Sequence, residues 1–311
     1  MMREIIRAAE EFQRAFPAAR VRLDEPMRLH TSFRIGGPVT AMVLPESEEE
    51  LTALCAIARR CGVRPLIIGN GTNLLVDDRP LELLVIQTTG LDTISVKGTA
   101  VSAGCGTLLS RLASEAQHLG LTGLEFAHGI PGSVGGAVSM NAGAYGGEIK
   151  DVAASVRTVT PDGEIRVFSG AENGFAYRRS RYTGTDDVIL GAEFKLTPGD
   201  PDAIRARMDE LAARRREKQP LNLPSAGSTF KRPQNGYAAA MIEAAGLKGK
   251  GFGGACVSEK HAGFVVNRGG ATFDDVLRTM EMVQEAVWQA NGVMLEPEVR
   301  IIRRDRERQN I

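Results

Sequence analysis

Gly129-Ile130-Pro131-Gly132-Ser133-Val134-Gly135-Gly136-Ala137-Val138-Ser139-Met140-Asn141-Ala142-Gly143-Ala144-Tyr145-Gly146-Gly147-Glu148 carries seven glycines in twenty residues. Backbone with so few Cβ atoms reaches left-handed dihedrals and lets a flat or phosphorylated ligand come close. The same freedom has a large entropic cost, so a fold that keeps the segment must pin it against something bulky. A cofactor is one such body. The other is a buried, turn-rich connection in which glycine merely permits tight packing, and a glycine cluster without a defined motif does not by itself choose between them.

Outward from that stretch, the chain alternates short strands with helices. Upstream, residues 2–16 have the pattern of an amphipathic helix and 21–27 are extended. Ser47 with Glu50 three residues later forms a capping box, Leu51, Leu54, Cys55 and Ala58 make one apolar face, and Gly62 ends the helix. Residues 65–68 form a short apolar strand that runs into Gly69-Asn70-Gly71-Thr72-Asn73. Such a loop is either a plain turn or a set of backbone N–H groups able to cradle a phosphate. Strands are expected at 83–87, 93–96 and 100–103, and a helix over 107–118 stopped by Gly120. Downstream, Pro161-Asp162-Gly163 sits between alternating segments 155–160 and 164–168, a hairpin signature, and 188–196 is a further strand. Thr197-Pro198-Gly199-Asp200-Pro201 has the composition of a boundary, and helices over 202–218, 237–245 and 272–290 with strands at 263–267 and 298–302 follow.

Composition narrows the partners. With 38 basic and 38 acidic side chains in 311 residues, no global positive field would gather nucleic acid or an acidic membrane surface. Charges interrupt the apolar pairs of Met1-Met2-Arg3-Glu4-Ile5-Ile6-Arg7, and no apolar run approaches the ~20 residues of a membrane span. A cytoplasmic protein with a small-molecule partner is expected. Cys55, Cys61, Cys105 and Cys256 lack C-x-x-C spacing and the four histidines lack ligand spacing, so no metal site is expected.

No G-x-G-x-x-G follows a strand, and neither a Walker A loop nor H-E-x-x-H is present. Three polar clusters remain. Phe175-Ala176-Tyr177-Arg178-Arg179-Ser180-Arg181-Tyr182 sets arginines among aromatics, and a guanidinium fork suits a carboxylate or phosphate. Gly227-Ser228-Thr229-Phe230-Lys231-Arg232-Pro233 puts a hydroxyl after glycine and near cations. Glu296-Pro297-Glu298-Val299-Arg300 places Glu298 at the start of an apolar strand, a costly position for a carboxylate unless it is paired or working. Each also has an ordinary reading: a surface arginine, a turn cap and a structural ion pair. The basic end of the 202–218 helix, with Arg214 and Lys218, is likewise either macrodipole complementation or an anion site.

Taken together with Thr31-Ser32-Phe33-Arg34-Ile35-Gly36-Gly37, these motifs, in this order over about residues 29–302, resemble the UDP-N-acetylenolpyruvoylglucosamine reductase family. The compact stretch between Gly170 and Leu196 resembles its shorter branch, which lacks an inserted tyrosine loop. The resemblance implies an α+β fold: a two-subdomain FAD-binding domain of the PCMH/vanillyl-alcohol-oxidase type, plus a C-terminal α+β substrate-binding domain. The expected division is a lead-in over 1–30, the FAD-binding domain over 31–199 and the substrate-binding domain over 200–311.

The implied activity is NADPH-dependent, FAD-mediated reduction of the enolpyruvyl group of a UDP-sugar by a monomer, with FAD held non-covalently. By matching motif positions, Gly69, Asn70, Gly71, Thr72 and Asn73 would hold the pyrophosphate. Gly129, Pro131, Gly132, Ser133, Gly135 and Gly136 would line the flavin and its linker, with Arg34 and Gly36 supporting the cradle. Ser228 would be the general acid, and Arg178 and Glu298 would stabilise the developing negative charge. Tyr177, Arg214, Lys218 and Lys231 would contact the substrate. Arg232 departs from the asparagine of the longer branch, and the tail over 303–311 has no implied role. Two alternatives are a related flavin oxidase acting on another small substrate and a non-catalytic uridine-nucleotide-binding protein.

Overall fold

A Ser47 hydroxyl accepting from Glu50 N–H (3.1 Å) starts the helix Glu48–Arg60, and Gly62 at φ +70° ends it. The Glu50 carboxylate reaches back to Glu46 N–H (2.8 Å), one residue beyond the expected box partner. The computed structural model to which this helix belongs describes residues 1–304, so the tail over 305–311 lies outside the described residues. Contacts gather into two compact units, one made of 1–24, 39–70 and 82–214, the other of 25–38, 71–81 and 215 onward. The cuts expected at 30/31 and 199/200 differ from this division because the chain leaves the first unit twice before residue 82 and changes unit again inside the helix Pro201–Lys218.

The two larger sheets of the first unit lie over one apolar core that runs from Ile5 to Met208. One has four strands in the order Arg20–Pro26, Pro38–Leu44, Leu81–Gln87, Leu66–Ile68, the last two parallel with Ile67 opposite Ile86. The helices Met2–Ala15 and Glu48–Arg60 pack on each other beside it, burying Ile5, Phe12, Leu51 and Leu54 completely. The other sheet has the order Ile165–Ser169, Ala153–Val159, Val188–Lys195, Ala100–Gly104, Ile94–Lys97, antiparallel throughout. Its first pair is the expected hairpin, closed by Thr160 N–H to Glu164 O (2.9 Å) around Gly163 at φ +86°. Part of the glycine-rich stretch is helical: Val134–Ser139 forms a short helix on the strand Val188–Lys195.

In the second unit the three antiparallel strands Gly251–Phe252, Ala255–Val257 and Val265–Asn267 pack on the long helix Phe273–Asn291. Thr272 and Asp275 form that helix's capping box, and Gly292 at φ +66° closes it. Val276, Met280, Val283 and Val287, one stripe at helical spacing, are buried with Phe230, Leu295 and Val299. The strand Arg300–Ile302 pairs in parallel with Leu74–Val76, bringing the end of the described chain beside the Gly69–Asn73 loop's downstream flank. Glu298 lies two residues before that strand rather than inside it.

Candidate active site

Within the first unit the two glycine motifs meet. Asn70 Nδ2 donates to Pro131 O (3.1 Å), and a Cβ built on Gly69 would lie 2.0 Å from Ser133 Oγ. A Cβ built on Gly135 would lie 3.0 Å from Cys105 Cβ, and Gly135 N–H donates to Cys105 O (2.8 Å), while Gly132 O accepts from Leu109 N–H. Close packing therefore accounts for Gly69 and Gly135. It does not account for Ser133 Oγ, which is buried and has no hydrogen-bond partner among the described residues, nor for His128 Nδ1, buried in the same way. A buried hydroxyl left without a protein partner costs ~1–3 kcal/mol, and a ligand oxygen or N–H would remove that cost. On this test the residues fit a bound flavin nucleotide better than the bare connection.

Gly71 to Asn73 and Arg34 to Gly37 belong to the second unit. A Cβ on Gly71, at φ +62°, would lie 1.9 Å from His30 O, and Ser32 N–H donates to Gly71 O (3.1 Å). Gly36 at φ +139° and Gly37 lie against Met27 and the Asp78 carbonyl, with Asp78 Oδ1 accepting from Gly36 N–H (3.3 Å). Arg34, exposed and at φ +57°, lines an open hollow with Arg28, Leu29 and Thr31. Asn73 is anchored in this unit: its Nδ2 donates to Glu298 O (3.0 Å), and its own carbonyl accepts from Arg300 N–H.

Ser228 and Glu298 come together in this unit. Glu298 N–H donates to Thr229 O (2.9 Å), Phe230 bridges Pro297, and Lys231 N–H donates to Glu296 O (2.8 Å). On the other side, Thr229 N–H donates to Gly263 O and Thr229 Oγ1 accepts from Val265 N–H. Thr229 and Phe230 are buried, whereas Ser228, after Gly227 at φ +75°, is exposed and Glu298 half-buried. Lys231 makes an exposed 3.1 Å ion pair with Glu296, and Arg232 stacks on Tyr237 at 4.1 Å.

Arg178 belongs to the first unit. Ala176 and Arg179 exchange both backbone bonds (2.9 and 3.2 Å), so Tyr177-Arg178 is a two-residue loop. Arg178 sits at φ +53°, where glycine or asparagine is usual, and its guanidinium lies 5.1 Å from the Tyr177 ring centroid. The stem is tied down on both flanks. Asn141 Nδ2 donates to Ala176 O (3.0 Å), and Ser180 Oγ donates to Ser139 O (2.7 Å). Sequence reasoning passed over Asn141 and Ser180; an asparagine among glycines was the available signal, since asparagine tolerates left-handed backbone. At the helix end, Arg214 pairs with Glu210 one turn back (2.6 Å), Lys218 is exposed, and Lys260 Nζ donates to Arg216 O (2.6 Å).

Residues 39–169 match the model of an FAD binding domain, and residues 219–302 match that of UDP-N-acetylenolpyruvoylglucosamine reductase, C-terminal domain. The UDP-N-acetylenolpyruvoylglucosamine reductase of Caldanaerobacter subterraneus subsp. tengcongensis is 47% identical over 280 residues, 90% of this chain and 93% of that protein. The chain belongs to the UDP-N-acetylenolpyruvoylglucosamine reductase family. The reductase of Levilactobacillus brevis is also 47% identical, over 93% of this chain and 95% of its own. The crystal structure of the Thermus caldophilus reductase superposes with a TM-score of 0.78 at 34% identity, covering 92% of this chain and 99% of that one. A Physcomitrella patens BBE-like protein, at 17% identity and a TM-score of 0.50 over 62% of this chain and 44% of its own, shares the fold alone. The fold is α+β, with an FAD-binding domain followed by the family's C-terminal domain.

Proposed function

We propose that the chain reduces the enolpyruvyl group of UDP-N-acetylglucosamine enolpyruvate to give UDP-N-acetylmuramate, an FAD- and NADPH-dependent step of peptidoglycan precursor synthesis. The observation that carries the reading is the ladder setting Ser228 and Glu298 on neighbouring backbone, in a chain of this family. We take 31–199 as the FAD-binding span, 200–311 as the substrate-binding span and 1–30 as the lead-in. The matched regions 39–169 and 219–302 fall inside the first two spans. The enzyme works as a monomer in the cytoplasm, and its balanced charge supports the reading that neither nucleic acid nor an acidic membrane surface is a partner.

Gly69, Asn70, Gly71, Thr72 and Asn73 would hold the pyrophosphate of FAD, with Arg34 and Gly36 behind them. Gly129, Pro131, Gly132, Ser133, Gly135 and Gly136 would line the flavin, and the unpartnered Ser133 hydroxyl is the group that gains most. The Asn73 side chain would also fix the Glu298 backbone. When bound, FAD would supply the redox chemistry, hydride transfer between NADPH and C3 of the enolpyruvyl group. Charge then develops on C2 and its carboxylate. Arg178, aided by Glu298, stabilises that charge, and Ser228 Oγ–H gives its proton to C2 and recovers one from water, to which it is exposed. Tyr177, Arg214, Lys218 and Lys231 bind the sugar nucleotide. The test is the visible spectrum of the purified protein. Under anaerobic conditions NADPH is expected to bleach a flavin band, which the enolpyruvyl sugar nucleotide alone restores; a protein that stays colourless after incubation with FAD would sink the reading.

A further inference from the structure

Two tight turns in the first unit carry non-glycine residues in left-handed backbone at their tips. One is Tyr177-Arg178. The other is Tyr145-Gly146, with φ +52° and +90°, which joins the paired strands Gly143–Ala144 and Gly147–Glu148. A non-glycine residue in this region costs ~1–2 kcal/mol and persists only where its surroundings over-determine it. What holds both stems is a single side chain. Asn141 is completely buried and itself sits at φ +45°. Its Nδ2 donates to Ala176 O (3.0 Å) in the Tyr177-Arg178 stem and to Glu148 Oε2 (2.8 Å) in the Tyr145-Gly146 stem, and its Oδ1 accepts from Lys150 N–H (2.9 Å). Both amide hydrogens are thereby used.

The Glu148 end of this link is charged. Lys150 Nζ lies 2.9 Å from Glu148 Oε2, and that bond, with the one from Asn141 and the nearby Arg178 guanidinium, keeps the carboxyl below its ordinary range despite partial burial. Asn141 thus joins the strand pair that carries the carboxylate to the loop that carries the guanidinium. A guanidinium must meet a carboxylate along its fork to bind with both N–H groups, so the orientation of its backbone matters as much as its charge.

We infer that Asn141, through its bonds to Ala176 O and Glu148, is the positioning residue that sets the Arg178 turn for the carboxylate of the substrate. The inference rests on the reading that Arg178 binds that carboxylate. Glycine accepts φ +45° without strain, so Asn141→Gly deletes the link while leaving the backbone its conformation. The test is calorimetric binding, to the FAD-loaded protein, of two ligands: the enolpyruvyl sugar nucleotide and the same sugar nucleotide without its enolpyruvyl group. Asn141→Gly is expected to weaken the first by about tenfold, the scale of a lost charge-assisted hydrogen bond, and the second by less than about twofold. Arg178→Ala should show the same selectivity, and the double variant should be little worse than Arg178→Ala alone.

Equal weakening of both ligands by Asn141→Gly, or none, would overturn the inference while leaving Arg178's role intact. Selectivity missing from Arg178→Ala itself would instead remove the reading beneath it. Should Asn141→Gly not fold, the half-exposed Glu148 decides. Glu148→Ala is expected to lose several-fold in binding of the carboxylate-bearing ligand only, and Glu148→Gln, which still accepts from Asn141, to recover it. Glu148→Ala without a selective loss would overturn the inference.

Discussion

The Tyr177-Arg178 loop and the basic end of the helix Pro201–Lys218 both present cations, yet they are built in opposite ways. Arg178 is held at a strained φ of +53° by backbone bonds across its loop and by Asn141 and Ser180 on its flanks. Arg214 and Lys218 sit on an unstrained helix, where Arg214 meets, among the described residues, the ordinary partner one turn back. A fold spends backbone strain where direction matters and leaves charge on a relaxed helix where sign alone suffices. The first arrangement suits stabilisation of a transition state, the second the binding of a diphosphate in ground and transition state alike.

The contrast can be broken at its strong end. Arg178→Ala should slow reoxidation of the reduced enzyme by the enolpyruvyl substrate about 10²–10³-fold, as removal of one preorganised donor does elsewhere. Arg178→Lys should recover little, because a point charge does not reproduce the fork. Stopped-flow absorbance at the flavin band measures this, and reduction by NADPH should change less than about twofold in either variant. At the weak end, Arg214→Ala and Lys218→Ala should each raise KM a few-fold with kcat unchanged, an effect that fades with added salt, and Arg214→Lys should be silent. Steady-state kinetics at two ionic strengths reads both. If Arg214→Lys behaved like Arg178→Lys, the distinction between direction and sign would fail.

Much of this was legible in the chain. The Ser47 cap, the Pro161-Asp162-Gly163 hairpin and the Val276, Met280, Val283, Val287 stripe each act over a few residues, and local chemistry decides them. The motif residues Arg178, Ser228 and Glu298 were legible as candidates for the same reason. The strand Pro38–Leu44 was not, since a run buried on both faces has no alternation and follows directly on Gly36-Gly37. Nor was the parallel pairing of Leu74–Val76 with Arg300–Ile302, which joins segments more than two hundred residues apart and makes the second unit discontinuous. The bond from Asn73 to the Glu298 carbonyl was not legible either, because that partner is equally distant in sequence. The strain at Arg178 comes from tertiary bonds, and no spacing rule carries it.

The smallest effect separates charge that holds the fold from charge that meets the ligand. Asp77 is buried in the second unit, with Arg79 on both of its oxygens (3.0 and 2.6 Å) and Arg304 N–H on Oδ2 (3.3 Å). Burial alone would raise its carboxyl, but these bonds outweigh it and leave the group below its ordinary value of 3.8. The sign follows: the contribution is fully present above that ordinary value and is lost as pH falls through the lower folded-state one. Asp77→Asn should cost on the order of 1–3 kcal/mol in urea unfolding at neutral pH and flatten the acid limb of the stability curve, without touching either half-reaction.

The most direct test of the whole account is stopped-flow of Ser228→Ala through both half-reactions. Reduction by NADPH at the wild-type rate, followed by a flavin that the enolpyruvyl sugar nucleotide no longer reoxidises, is the predicted result. Full turnover by the variant would contradict the placement of the acid on Ser228, and with it the ladder to Glu298 on which the proposed function rests.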